Sequence, residues 1–134
     1  MIWPINTSGT RVISAVPDEA GGELLIRAVF GMSGQGGELE QDIVYEGMFY
    51  SQLDESSAGL IIDSVAELTP DELKLPEHES AAARLYADCG ADDYFLRDMY
   101  RRGNRLFTHR ARGGGEYIVL AKRQAFGEQR AKEW

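Results

Sequence analysis

The residues of this chain that could carry chemistry are two histidines, one cysteine and scattered carboxylates. His78 and His109 lie outside metal-ligand spacings such as H-E-x-x-H, and Glu77-His78-Glu79 would point around a helix instead of converging on one ion. Cys89 has acidic neighbours, which raise the pKa of a thiol and make it a poor nucleophile. The glycine-rich run at residues 31–37 lacks the third glycine of a dinucleotide fingerprint. The sequence therefore predicts no catalytic residue, no metal site and no cofactor.

Charge is divided unevenly along the chain. Residues 1–96 carry eighteen acidic and four basic side chains, whereas residues 97–134 carry four acidic and ten basic ones, for a net charge of -8. Segregated charge gives a protein two kinds of surface, and such surfaces usually concern what the protein binds. This division favours a binding protein over an enzyme.

The acidic part includes a predicted third strand from Glu38 to Tyr50, bulged at Gly47, in which polar and apolar residues alternate. Its carboxylates are spaced to form an acidic face, made of Glu38, Glu40, Asp42 and Glu46. Such a face could imitate a phosphate backbone and engage the nucleic-acid-binding surface of a basic protein partner, as small acidic cytosolic inhibitors do. The simpler alternative is a solvated outer face of the sheet.

The basic part is rich in arginine, whose planar guanidinium suits contact with phosphate or carboxylate. The candidate contact residues are Arg101, Arg102, Arg105, Arg110 and Arg112. A helix followed by an arginine-bearing hairpin resembles the recognition helix and wing of a winged-helix DNA binder over residues 69–123, by order of elements only. That resemblance implies a nucleic-acid-binding regulator. The alternatives are that these arginines pair with the chain's own acidic strands, contact a second copy of the chain, or bind an acidic protein partner.

The elements that must position these residues follow from periodicity and turn signals. The sequence predicts strands at residues 11–16, 23–32, 38–50, 60–65, 105–112 and 116–123. It predicts helices at residues 69–75, 77–89 and 92–102. The first two strands form a hairpin, and the last two form another around Gly113-Gly114-Gly115, with Tyr117 to Ala121 interior to the sheet and the arginine-rich arm nearer an edge. Residues 124–134 are expected to form a short helix or a loose tail.

The helices carry the clearest local signals. Thr69-Pro70-Asp71-Glu72 predicts a capping box that opens a short helix, and Asp92 predicts an N-cap. Spacing of four residues predicts the ion pairs Arg84 to Asp88, Asp93 to Arg97 and Asp98 to Arg102.

Together these features predict one α+β domain spanning residues 1–134, with an antiparallel sheet, built from the N-terminal strands and the C-terminal hairpin, packed against two to three short helices. A single cysteine fits a reducing cytosol, and no apolar run approaches the length of a membrane span. We therefore expect a cytoplasmic, non-enzymatic binding protein of the inhibitor or immunity type with a basic protein partner. The alternative is the nucleic-acid-binding regulator, and a homo-oligomer remains open in either case.

Overall fold

The structure is a computed structural model that describes residues 9–31, 37–90, 92–128 and 130–131. Most of the glycine-rich run at residues 31–37 and the last three residues lie outside the described part. Within it the strands are β1 (Thr10–Asp18), β2 (Glu23–Gly31), β3 (Glu38–Glu46), β4 (Tyr50–Ser51), β5 (Ile61–Leu68), β6 (Arg105–Ala111), β7 (Glu116–Ala121), β8 (Arg123–Phe126) and β9 (Arg130–Ala131). The helices are α1 (Glu79–Cys89) and α2 (Asp93–Arg101), and short 3₁₀ turns cover Glu55–Ser57, Glu72–Lys74 and Pro76–His78.

The described strands form one antiparallel sheet in the order β4-β7-β6-β5-β1-β2-β3-β8, with β9 also on β3. Only Lys122 separates β7 from β8, and its amide donates to the carbonyl of Glu46 at 2.9 Å. β7 pairs with β6 on one side and with β4 on the other, and β8, which continues β7, pairs with β3. Because β4 itself continues β3, the two ends of the strand order are joined. As a result the sheet closes on itself as a small barrel, which leaves few free edges.

A bulge interrupts the strand that continues from β3 into β4. Glu46 pairs with Arg123 and Tyr50 pairs with Leu120, so residues 47–49 stand opposite residues 121–122. Gly47 adopts a φ of 63°, in the left-handed region that suits glycine. The bulge predicted at Gly47 is thus confirmed.

Two apolar cores follow from the alternation of side chains along β6 and β7. Phe107, Val119 and their inward neighbours pack inside the barrel against Ile26 and Ile43. Leu106, Ile118 and Leu120 point outward instead, where they contact helical residues such as Leu85 and Leu96. The coarse prediction of an α+β architecture with one antiparallel sheet is therefore confirmed.

Several local predictions are confirmed. Both hairpins form, Gly90 ends α1 with a φ of 59°, and the Asp92 carboxylate accepts a hydrogen bond from the Phe95 amide at 2.9 Å. The Thr69 capping box also forms, since Thr69 Oγ1 and the Glu72 carboxylate each accept from the other residue's amide. The interior position of Tyr117 to Ala121 is confirmed as well, because β7 lies between β4 and β6.

The short helix predicted to open at Thr69 and end at Pro76 forms as a 3₁₀ helix at Glu72–Lys74, and Leu75, which precedes Pro76, is held in the extended conformation with a ψ of 145°. Two other predictions are wrong. The arginine-rich arm is not near an edge, since β6 lies between β5 and β7. The tail predicted after residue 123 as a helix or loose segment instead supplies β8 and β9, which pair with β3.

Candidate binding groove

The predicted acidic face lies on the outer side of β3, and arginines accompany its carboxylates. Arg11 reaches Glu38 at 3.5 Å, and Arg27 reaches both Glu40 at 3.2 Å and Asp42 at 3.3 Å. Glu46 pairs with Arg123. These ion pairs lie on a partly exposed surface, where each is worth roughly 0–1 kcal/mol. Their main consequence is electrostatic: three arginines offset most of the charge of the four carboxylates.

Four of the five candidate arginines also have acidic partners, and these lie close by instead of on β3. Arg102 pairs with Asp98 at 3.0 Å on α2, and Arg112 pairs with Asp63 of β5 at 2.7 Å. Arg110 approaches the Glu116 carboxylate at 3.5 Å.

The guanidinium of Arg105 lies over the Tyr100 ring at 4.5 Å and donates to the Tyr100 carbonyl, with Glu67 at 3.9 Å. Arg101 is exposed at the end of α2. The five arginines therefore do not form one uncompensated basic surface.

The two histidines are engaged in buried hydrogen bonds. His109 lies inside the barrel, and its Nδ1 lies 2.9 Å from the Tyr117 carbonyl oxygen. A carbonyl only accepts, so Nδ1 carries the proton and Nε2 accepts from the Tyr45 hydroxyl, which itself accepts from the Gln124 amide at 2.8 Å. Burial lowers the pKa of His109 to about 4, so the ring is neutral at neutral pH.

His78 lies outside the barrel under the start of α1. Its Nδ1 is 2.6 Å from the Glu116 carboxylate, which also accepts a hydrogen bond from the Thr108 hydroxyl at 2.6 Å. Arg84 donates to the Glu116 carbonyl at 2.5 Å, in place of the predicted pair with Asp88. These contacts tie the helical layer to β6 and β7.

The surface with concentrated acidic charge is instead a groove of about 760 Å³ at one end of the barrel. Three parts of the chain meet there: the turn between β1 and β2, the segment from the Gly47 bulge to the 3₁₀ turn at Glu55–Ser57, and the C-terminal end of α1. The groove is lined by Pro17, Glu19, Met48, Phe49, Tyr50, Ser51, Asp54, Glu55 and Asp88. Four of these nine residues are acidic and none is basic. We call this surface the acidic groove.

Local hydrogen bonds fix the walls of the acidic groove. The Met48 amide donates to the Gly22 carbonyl at 2.7 Å, which ties the bulge to the β1–β2 turn. The Asp54 carboxylate accepts from the amide and hydroxyl of Ser56 and so holds the 3₁₀ turn in place. Glu19 and Glu55 are exposed and make no ion pair within the described part of the chain.

Asp88 is held in place by the side chain of Tyr50. The Tyr50 hydroxyl donates to it at 2.6 Å, and the Gln52 amide donates to that hydroxyl at 3.0 Å. Burial and the hydrogen bond to Asp88 raise the pKa of Tyr50 to about 12, so the phenol keeps its proton. Gln52 is itself anchored by the Ile118 amide and the Ala81 carbonyl. These hydrogen bonds hold the Asp88 carboxylate at a fixed place on the groove wall.

An aromatic surface lies beside these charges. Phe49 is 54% exposed, and its ring packs against Phe95 of α2 with 5.7 Å between centroids. An exposed ring next to carboxylates suits a cationic side chain, because the cation can contact the ring face and pair with the acid together. The acidic groove therefore has the chemistry of a receptor for arginine or lysine side chains.

Sequence reasoning found only parts of this groove. Of its four acids, only Asp88 has a predicted role, as the partner of Arg84. Asp54, Glu55 and Glu19 lie between the predicted strands and have none. The available signal was acids in turns and at a helix end, and only the closure of the barrel brings them together.

Comparison of this sequence with known proteins finds no match. No family model, curated protein or solved structure matches it. No helix among the described residues is long and apolar enough to span a membrane.

Cys89 lies next to Asp88, and burial together with that carboxylate raises the pKa of its thiol, as the sequence predicts.

Proposed function

We propose that this chain is a non-enzymatic binding protein of the inhibitor or immunity type, and that it engages a basic protein partner through the acidic groove. The observation that carries the proposal is that four carboxylates and no basic side chain line the groove, with exposed Phe49 beside them. The acidic face of β3 supports the proposal less well, because Arg11, Arg27 and Arg123 accompany its carboxylates.

Binding would insert arginine or lysine side chains of the partner among the groove carboxylates. Opposite charge accelerates encounter and fixes the register of such a contact, and salt weakens it. The hydrogen bond from the Tyr50 hydroxyl already fixes the Asp88 side chain, so Asp88 loses little conformational freedom when a cation pairs with it.

The test uses a fluorescein-labelled peptide of alternating arginine and alanine, titrated with the full chain and followed by fluorescence anisotropy. The groove variant combines Glu19→Gln, Glu55→Gln and Asp88→Asn, and leaves the capping residue Asp54 intact. The matched control neutralises the acidic face of β3 with Glu38→Gln, Glu40→Gln, Asp42→Asn and Glu46→Gln. The groove variant removes three carboxylates and the β3 variant removes four, so a larger effect of the groove variant cannot come from net charge alone.

We expect the groove variant to lose at least about tenfold in affinity, and the β3 variant to stay within about threefold of the parent. If the β3 variant loses the affinity and the groove variant keeps it, the binding face is the one on β3 and the groove assignment is wrong. If the parent chain fails to bind the peptide even at low salt, the proposal of a basic partner is wrong.

The nucleic-acid alternative is tested in the same assay with a labelled DNA duplex. It requires salt-sensitive binding that disappears when Arg101, Arg102, Arg105, Arg110 and Arg112 are replaced by alanine. We rank it second because four of these five arginines already have acidic neighbours within 4 Å.

A further inference from the structure

One edge of β4 faces the acidic groove. Among the described strands β4 stands at the end of the strand order and pairs with β7 alone. The four consecutive residues 48–51 all line the acidic groove, so a stretch of backbone forms one of its walls. A strand edge without a neighbour is a template for pairing with another chain.

The backbone groups of Ser51 point toward this open side. The amide of the next residue, Gln52, donates to the Ile118 carbonyl of β7 at 2.9 Å. Backbone groups of successive residues in a strand point to opposite sides, so the amide and carbonyl of Ser51 point away from β7. Within the described chain, no hydrogen bond outside the pairing of β4 with β7 reaches either group. Ser51 therefore offers one donor and one acceptor to a segment that lies in the groove.

The two faces of β4 carry different side chains. The Tyr50 side chain points toward the helices, where its hydroxyl donates to Asp88 of α1 at 2.6 Å. Neighbouring residues of a strand alternate between the two faces, so the Ser51 side chain lies on the other face. Phe49 also reaches the helical side, since its ring packs 5.7 Å from that of Phe95 of α2. A strand added to β4 therefore has every second side chain on the face that carries Asp88 and exposed Phe49.

We propose that the basic partner enters the acidic groove as an extended segment that adds a strand to β4, with basic side chains at alternate positions. This inference rests on the proposed function and adds the conformation of the bound segment. The backbone of the segment pairs with Ser51, and its alternate side chains bring their cations to the Asp88 carboxylate and the Phe49 ring. In this mode of recognition the main-chain hydrogen bonds supply affinity and the alternate side chains supply specificity.

A helical segment fits the acidic groove less well than an extended one. A helix satisfies its own backbone groups, so it leaves the amide and carbonyl of Ser51 unpaired. Pro17, the residue of β1 that lines the groove, has no amide to donate, so β4 is the wall with which a segment pairs. The groove volume of about 760 Å³ lies within the range of about 300–1,000 Å³ that is usual for ligand sites.

The test compares three forms of the fluorescein-labelled peptide of alternating arginine and alanine, each titrated with the full chain and followed by fluorescence anisotropy. The first is unmodified, the second carries an N-methyl group on every alanine amide, and the third carries one on every arginine amide. N-methylation removes a backbone donor and blocks the approach of a neighbouring strand, and it leaves the charge of the peptide unchanged. Backbone amides alternate along an extended segment, so only one of the two sets faces β4.

We expect one methylated peptide to lose at least about tenfold in affinity and the other to stay within about threefold of the unmodified peptide. The sensitive amides are those of alanine if the added strand is antiparallel to β4, and those of arginine if it is parallel. An equal loss in both peptides, or a loss in neither, overturns the extended segment and leaves the acidic groove as the binding site. Failure of the unmodified peptide to bind instead overturns the proposed function, and this inference with it.

Discussion

Lowering the pH should destabilise this protein through His109, in a range where the carboxylates are still ionised. The side chain is fully buried in the barrel, and desolvation lowers its pKa from 6.5 to about 4 in the folded state. The unfolded chain therefore binds a proton at a higher pH than the folded chain does. The stability that neutral His109 contributes is present above pH 6.5 and is lost as the pH falls through the window from 6.5 to about 4.

The magnitude follows from the two pKa values. A shift of that size corresponds to about 3 kcal/mol over the whole window. Between pH 7 and pH 5 the expected fall in the free energy of unfolding is about 2 kcal/mol, because the folded protein remains unprotonated there. Ordinary carboxylates have pKa values near about 4 and contribute little in this interval.

The assay is urea unfolding at pH 7 and at pH 5, for the parent chain and for His109→Gln. Glutamine remains neutral and keeps one donor for the Tyr117 carbonyl and one acceptor for the Tyr45 hydroxyl. The variant is expected to be less stable at pH 7 but to lose at least about 1 kcal/mol less than the parent on going to pH 5. His78 is present in both chains, so whatever it contributes cancels in the difference. An equal fall in the two chains would refute this account of His109.

Two further substitutions test the hydrogen bond between Tyr45 and His109 and the bulge at Gly47, with thermal or urea unfolding as the measurement. Tyr45→Phe should lower the free energy of unfolding by about 1–3 kcal/mol, because it leaves the buried Nε2 of His109 without its donor; an unchanged midpoint would mean that this hydrogen bond does not stabilise the fold. Gly47→Ala should cost about 1–2 kcal/mol, because φ is 63° and a Cβ would lie 2.8 Å from Lys122; a neutral result would contradict the bulge geometry.

The local predictions succeeded where a few neighbouring residues decide the outcome. The turn at Gly113-Gly114-Gly115, the cap at Asp92 and the stop at Gly90 each depend on residues within one turn of chain. Steric limits on φ and the need to satisfy amides at helix ends act at this range, so composition and spacing suffice.

The ion pairs show where that reasoning stops. Spacing of four residues predicts the pairs of α1 and α2, yet only Asp98 to Arg102 forms. Arg97 instead pairs with Asp71, and Lys74 pairs with Asp93. On an exposed helix face a pair at four residues gains only about 0.3–0.5 kcal/mol, so a partner on a neighbouring turn competes easily.

The prediction of a helix or loose tail at residues 124–134 is wrong for a related reason. Arg123 to Phe126 has little apolar periodicity, and nothing local favours a strand. Its extended conformation comes from pairing with β3, where Ile43 faces Phe126 and Glu46 faces Arg123. This pairing closes the barrel, and closure in turn creates the acidic groove. Because this pairing is not predicted, the sequence points to the acidic face of β3 and not to the acidic groove as a candidate surface.

The division of charge along the sequence takes a different form in the folded chain. Of the basic residues after position 96, Arg97, Arg102, Arg112 and Arg123 each lie within 4 Å of a carboxylate from the described part of the chain. These pairs consume acidic charge on β3, on β5 and around α2, but they do not reach the acidic groove. A net negative charge is therefore concentrated at the end of the barrel where exposed Phe49 also lies. Over much of the described surface the two kinds of charge therefore pair with each other, whereas no basic side chain lines the acidic groove.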